Sequence, residues 1–68
     1  MNEQRKLAWF QCADHAYVIT CTTENGFDWN YNVWRTNVWF EYPHLIAQTN
    51  TYANAIRRVA SDDDMVDD

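Results

Sequence analysis

"YVITCTTENGFDWNYNVW", from Tyr17 to Trp34, is the stretch whose reading decides the fold. Its first half alternates: Tyr17, Ile19 and Cys21 fall on one side, and Val18, Thr20 and Thr22 on the other. The β-branched residues among them suit a pleated strand. Glu24-Asn25-Gly26 then supplies a reversal, because Asn-Gly accepts the positive φ that tight hairpin turns require. Beyond it, Phe27, Trp29, Tyr31 and Val33 share one face, with Asp28, Asn30 and Asn32 on the other. Two alternating runs joined by Asn-Gly predict an antiparallel hairpin.

Working outward, Lys6 to Cys12 predicts a preceding strand, with Trp9 opposite in phase to Phe10. Ala13-Asp14-His15 is the turn between them. Downstream, the alternation slips at Val33-Trp34, which predicts a bulge between Trp34 and Asn37. Val38 to Tyr42 resumes it, as a fourth strand or the far end of a long bent one. Pro43 changes the period. Leu45, Thr49, Tyr52, Ile56 and Val59 recur at helical spacing, predicting an amphipathic helix over 44–60. Thr49, Asn50 and Thr51 are weak helix formers, so a start at Asn50 is the alternative. Arg57 and Arg58 would occupy its last turn, where cations favour the dipole. The fold class is therefore α+β: an antiparallel sheet of three to four strands with one C-terminal amphipathic helix packed on one face.

The totals bound the rest. At 68 residues the chain has room for one domain, and a small core. Its net charge of −5 is unevenly placed. Residues 1–61 carry equal numbers of acidic and basic side chains, and Asp62, Asp63, Asp64, Asp67 and Asp68 supply the excess. The sequence thus divides into a neutral domain, 1–61, and an acidic flexible tail, 62–68. No basic stripe is present, which argues against direct nucleic-acid binding. No stretch reads as a signal peptide or a membrane span, so the expected compartment is the cytosol.

Enzymatic chemistry finds little support. Cys12, Asp14, His15, Cys21 and His44 are metal-ligand types, but no paired-cysteine motif organises them. Buried thiols and turn residues explain them, and no cofactor is implied. With residues 13–15 as the turn, Cys12 and Cys21 are out of register for a disulfide. A cysteine–histidine nucleophile needs a shaped cleft that a domain of this size rarely builds. One glycine rules out a glycine-rich phosphate loop.

Aromatic residues remain. Tyr17, Ile19, Phe27, Trp29, Tyr31 and Val33 are the set expected under the helix. Trp9 and Trp39 are opposite in phase to Phe10 and Phe40, and Trp34 to Val33, so at least some of these rings are expected to face away from the helix, with Arg35 among them. Trp, Tyr and Arg dominate interface hot spots. Trp9, Trp34, Trp39 and Arg35, with Asp28, Glu41, Asp62, Asp63 and Asp64 as acidic contacts, form the predicted partner-binding set. In its small size, acidity, compact α+β pattern, aromatic-rich sheet and lack of a catalytic signature, the chain resembles small phage-encoded inhibitors of host machinery, including anti-CRISPR proteins. That resemblance is one of general character and carries over no residue. It implies a non-enzymatic inhibitor that binds a host protein or ribonucleoprotein effector and occludes its basic surface, in some cases by mimicking nucleic-acid charge. Two other classes fit the same residues: a homodimeric adaptor pairing through the aromatic face, and a small metal-binding regulator.

Overall fold

The structure, a computed structural model, describes residues 3–66 and the side chains of residues 4–63. Four strands, β1 (Glu3–Gln11), β2 (Ala16–Thr23), β3 (Trp29–Thr36) and β4 (His44–Thr49), precede one helix, α1 (Tyr52–Val66). The strands pair in chain order, each antiparallel to the next. The predicted α+β class and the single C-terminal helix are both present. Tyr17, Ile19 and Val33 meet Ala55 and Val59 of α1 in the core, with Phe10, Tyr31 and Ile46 packed around them.

The β2–β3 hairpin forms where the alternation placed it. Its register runs without a shift from Thr23 opposite Trp29 to Ala16 opposite Thr36. Gly26 adopts φ 83°, a conformation that suits a residue without a side chain. The turn is longer than a two-residue reversal, and the Asn25 side chain organises it. Its Oδ1 accepts the amide N–H groups of Phe27 at 2.8 Å and Asp28 at 2.9 Å. Phe27 therefore belongs to the turn. The alternation with Trp29 and Tyr31 predicts a core position under the helix, and the side chain is instead 87% exposed.

The expected slip inside β3 is absent. Trp29, Tyr31, Val33 and Arg35 keep one phase, and Asn32, Trp34 and Thr36 the other. The irregularity lies in the partner strand: Val33 pairs with Ala47 and Trp34 with Leu45, leaving Ile46 as the extra residue. A second shift in β1, between Lys6 and Ala8, makes Leu7 the extra residue there.

Residues 38–42 are not a strand. They form a loop in which Phe40 and Tyr42 take φ of 60° and 54°, uncommon for residues with side chains. Asn37 holds it: its Oδ1 accepts the N–H groups of Trp39 at 3.1 Å and Glu41 at 2.9 Å. Thr36 donates its hydroxyl to the Glu41 carbonyl. The fourth strand is His44–Thr49, part of the predicted 44–60 helix. Pairing there satisfies the outer edge of β3, which a helix from residue 44 would leave open.

The helix begins near the later alternative. Thr51 is its N-cap, accepting the Asn54 N–H on Oγ1 at 3.2 Å, and its carbonyl accepts from Ala55. Nor does α1 stop near Ser61. It passes Asp62 and Asp63, which it carries back onto the sheet, so Arg57 and Arg58 sit in its middle. Carboxylates near a helix C-terminus oppose its dipole. Here they find partners in the sheet and the β1–β2 turn. The boundary drawn at residue 61 thus falls inside the helix, and the portion of the expected tail beyond Val66 lies outside the described residues.

Candidate functional site

The sheet has one face under α1 and one without a covering element among the described residues. On the second face the register sets Trp9, Val18, Trp34 and Leu45 side by side across all four strands. Trp9 is 62% exposed and Leu45 is also exposed. The Trp34 indole N–H donates to Thr20 Oγ1 at 3.0 Å. That bond satisfies its one polar atom and fixes the ring across the sheet. A shallow groove of about 230 Å³ opens beside it, lined by Val18, Trp34, Thr36, Phe40 and Pro43 among others.

The neighbouring row is polar: Lys6, Thr20, Asn32 and Gln48 are aligned. Asn32 donates to Thr20 at 3.4 Å and Thr22 at 3.2 Å, and accepts from Gln48 at 2.9 Å. Its amide is buried, and these bonds offset the cost of removing it from water. The Lys6 ammonium sits 5.6 Å from the Trp9 ring centre, within cation–π range. This face is an apolar stripe beside a satisfied hydroxyl–amide network.

The predicted contact residues divide accordingly. Trp9 and Trp34 lie in the stripe. Trp39 projects from the β3–β4 loop and is 75% exposed. Glu41 is exposed in the same loop. Asp28 is exposed in the β2–β3 turn at the opposite end of the sheet, where it accepts from Asn25 at 3.0 Å. Arg35 does not join them. Strand alternation sends it to the helix side, where its Nη1 donates to Asp62 at 3.2 Å. Asp62 and Asp63 are turned toward the sheet, and the Asp64 side chain lies outside the described residues. The sequence reading missed Leu45 and Phe40. Recognising 44–49 as a strand would have placed Leu45 beside Trp34.

A second constellation gathers where α1 returns to the β1–β2 turn. Tyr17 donates its hydroxyl to Asp62 Oδ2 at 2.6 Å, the oxygen that also accepts from Arg35. Burial, reinforced by the bond to Asp62, pushes the Tyr17 phenol well above its usual pKa, so it remains a donor. His15 is only 8% exposed, with Nδ1 2.6 Å from Asp14 Oδ1 and Nε2 3.1 Å from Asp63 Oδ1. The hydrogen bond from His15 holds the Asp14 carboxyl below the usual carboxylate range. The Cys12 thiol donates to the same Asp63 oxygen at 3.4 Å. Cys12 and Cys21 form no disulfide. Cys12 and His15 are ligand types already visible in the sequence; Asp63, 48 residues from His15, reads there as part of the acidic tail.

The fold and these sites define an α+β domain with one uncovered aromatic sheet face and a polar knot at the helix end. Comparison with protein-family models, curated proteins and solved structures finds no match. Among the described residues, no helix is long and apolar enough to cross a membrane.

Proposed function

We propose that this chain is a non-enzymatic, stoichiometric protein-binding inhibitor. In its most concrete form it is an anti-CRISPR or related host-takeover protein that docks on a nucleic-acid-handling effector in the host cytosol. The observation that carries the reading is the Trp9–Val18–Trp34–Leu45 stripe on the face that α1 leaves bare. A fixed indole beside a groove, with exposed aromatics around it, is the composition of an interface hot spot. Asp28 and Glu41, exposed at opposite ends of the sheet, supply the acidic contacts for a basic site on the target. Asp62, Asp63 and Arg35 are committed to contacts within the chain and lie outside the proposed contact surface.

The test is affinity capture from bacterial lysate with the wild type and the Trp9→Ala/Trp39→Ala double variant, whose targets are exposed enough to leave the fold intact. Capture of a nuclease, polymerase or ribonucleoprotein effector by the wild type is expected. Binding should weaken by roughly 30-fold or more in the variant, the equivalent of a lost hot spot. The captured effector should also lose binding to its nucleic acid in the presence of the wild type. Equal capture by both proteins would remove Trp9 and Trp39 from the interface and refute a hot spot built on the exposed aromatics of this face. A dimer in light scattering that dissociates in the variant reassigns the face to self-association.

A further inference from the structure

We propose that Cys12, His15 and Asp63 form a binding site for one divalent ion of the zinc class. This assigns a second site, on the far side of the sheet from the aromatic stripe, and does not depend on the inhibitor reading. Cys12 and His15 flank the β1–β2 turn, and Asp63 is brought to them by α1. Their ligand atoms (Sγ, Nε2 and a carboxylate oxygen) all lie within 4.8 Å of one another. Asp63 Oδ1 is 3.1 Å from Nε2 and 3.4 Å from Sγ. Tetrahedral zinc, with bonds of about 2.0–2.3 Å, spaces its ligand atoms roughly 3.3–3.6 Å apart. The two separations from Asp63 therefore stand near those an ion imposes, and the sulfur and imidazole nitrogen lie within 4.8 Å of each other.

The donor set narrows the ion. One sulfur, one imidazole nitrogen and one carboxylate oxygen suit zinc or cobalt, whereas magnesium and calcium take oxygen shells. His15 is already oriented. Asp14 holds Nδ1 at 2.6 Å, and the ring meets Tyr17 edge-on, with centroids 5.2 Å apart at 89°. A carboxylate on the distal nitrogen fixes the histidine in many metal sites and raises its basicity as a ligand. The local charge is suitable as well. Binding releases the proton that Cys12 donates to Asp63; with Arg35 paired to Asp62, the resulting thiolate together with Asp63 and Asp14 makes the site negative. Three protein ligands leave a fourth position, and Asp63 is 43% exposed, so water can reach it. A bound ion would tether the last turns of α1 to the β1–β2 turn, beside the attachment that Tyr17, Asp62 and Arg35 already make.

Metal-free protein is titrated with Co2+ and followed by absorption. Zn2+ is then added as competitor, and thermal unfolding is read by circular dichroism with and without Zn2+. The expected result is one Co2+ per chain, with a thiolate-to-cobalt charge-transfer band and the visible bands of four-coordinate cobalt. Zn2+ should displace it and raise the melting temperature. Cys12→Ser should lose the charge-transfer band, and Asp63→Asn should weaken Zn2+ binding at least ten-fold in competition with a chromophoric chelator. Asp14→Asn should weaken it by about 10- to 100-fold. Cys21→Ser, whose thiol lies in the middle of β2, should bind as the wild type does. Circular dichroism establishes that each variant is folded, and Cys12→Ser and Asp63→Asn serve as independent probes of the site. The proposal fails if the wild type shows no cobalt bands and no zinc-dependent stabilisation. It fails equally if Asp63→Asn binds Zn2+ with wild-type affinity, or if Cys21→Ser abolishes the charge-transfer band.

Discussion

Replacing Tyr17 with phenylalanine removes one oxygen from the contact that fastens the helix end to the sheet. The phenol donates to Asp62 at 2.6 Å. Hydrogen bonds to charged groups contribute about 1.5–3 kcal/mol. The low end applies here, because the Asp62 side chain is 18% exposed and keeps Arg35 at 3.2 Å after the change. The ring itself stays, with its packing against Ile19, Val33 and α1. The expected loss is about 1.5–2 kcal/mol, or a fall of roughly 6–16 °C in melting temperature for a domain of this size. Urea unfolding at neutral pH, followed by far-ultraviolet circular dichroism, measures it.

The same substitution has a pH signature. A free phenol loses its proton near pH 10, whereas burial and Asp62 raise the folded value. Below about pH 10 the contact contributes in full. Above that, the unfolded chain deprotonates while the folded one holds its proton, and stability falls by up to about 1.4 kcal/mol per pH unit. The phenylalanine ring has no proton to lose, so the gap between wild type and Tyr17→Phe should narrow above pH 10. A variant as stable as the wild type at neutral pH, or a gap that stays constant into alkaline solution, would refute this account of the helix end.

Two further substitutions test local features. Thr51→Ala deletes the N-cap of α1 and should cost about 1 kcal/mol in urea unfolding, with Thr51→Ser restoring most of it. Gly26→Ala places a side chain at φ 83°, where nothing lies within 4 Å of the added carbon. Its cost is therefore backbone strain alone, about 1–2 kcal/mol, without a change in the packing seen by near-ultraviolet dichroism.

The hairpin was legible because its information is local. Alternation from Tyr17 to Thr23 and from Trp29 onward, broken by Asn25-Gly26, names two strands and their order without reference to anything distant. The helix was legible in part: Tyr52, Ile56 and Val59 are on its stripe, and Thr51 is a capping residue in plain view. The error lay at 44–49. Leu45 and Thr49 happen to extend the helical spacing, and Ile46, Ala47 and Thr49 serve a strand equally well. What resolves that ambiguity is the unpaired edge of β3, a feature of the assembled sheet. Likewise Val38–Tyr42 alternates as a strand would, yet Asn37 bends the chain back through two positive φ angles.

Sequence by itself determined the α+β fold class, the central hairpin, the presence of a C-terminal helix and the opposition in phase between Trp9 and Phe10. These follow from periods of two and of 3.6 residues, which operate over a few neighbours. Tertiary structure alone decided that Trp9, Val18, Trp34 and Leu45 form one stripe, because registers between strands are set by pairing and by the extra residues Leu7 and Ile46. It also decided the fate of the acidic residues. Asp62 and Asp63 read as a tail because charge runs are usually solvated. The helix returns them to Tyr17, Arg35, His15 and Cys12, whose hydrogen bonds make two carboxylates part of the domain.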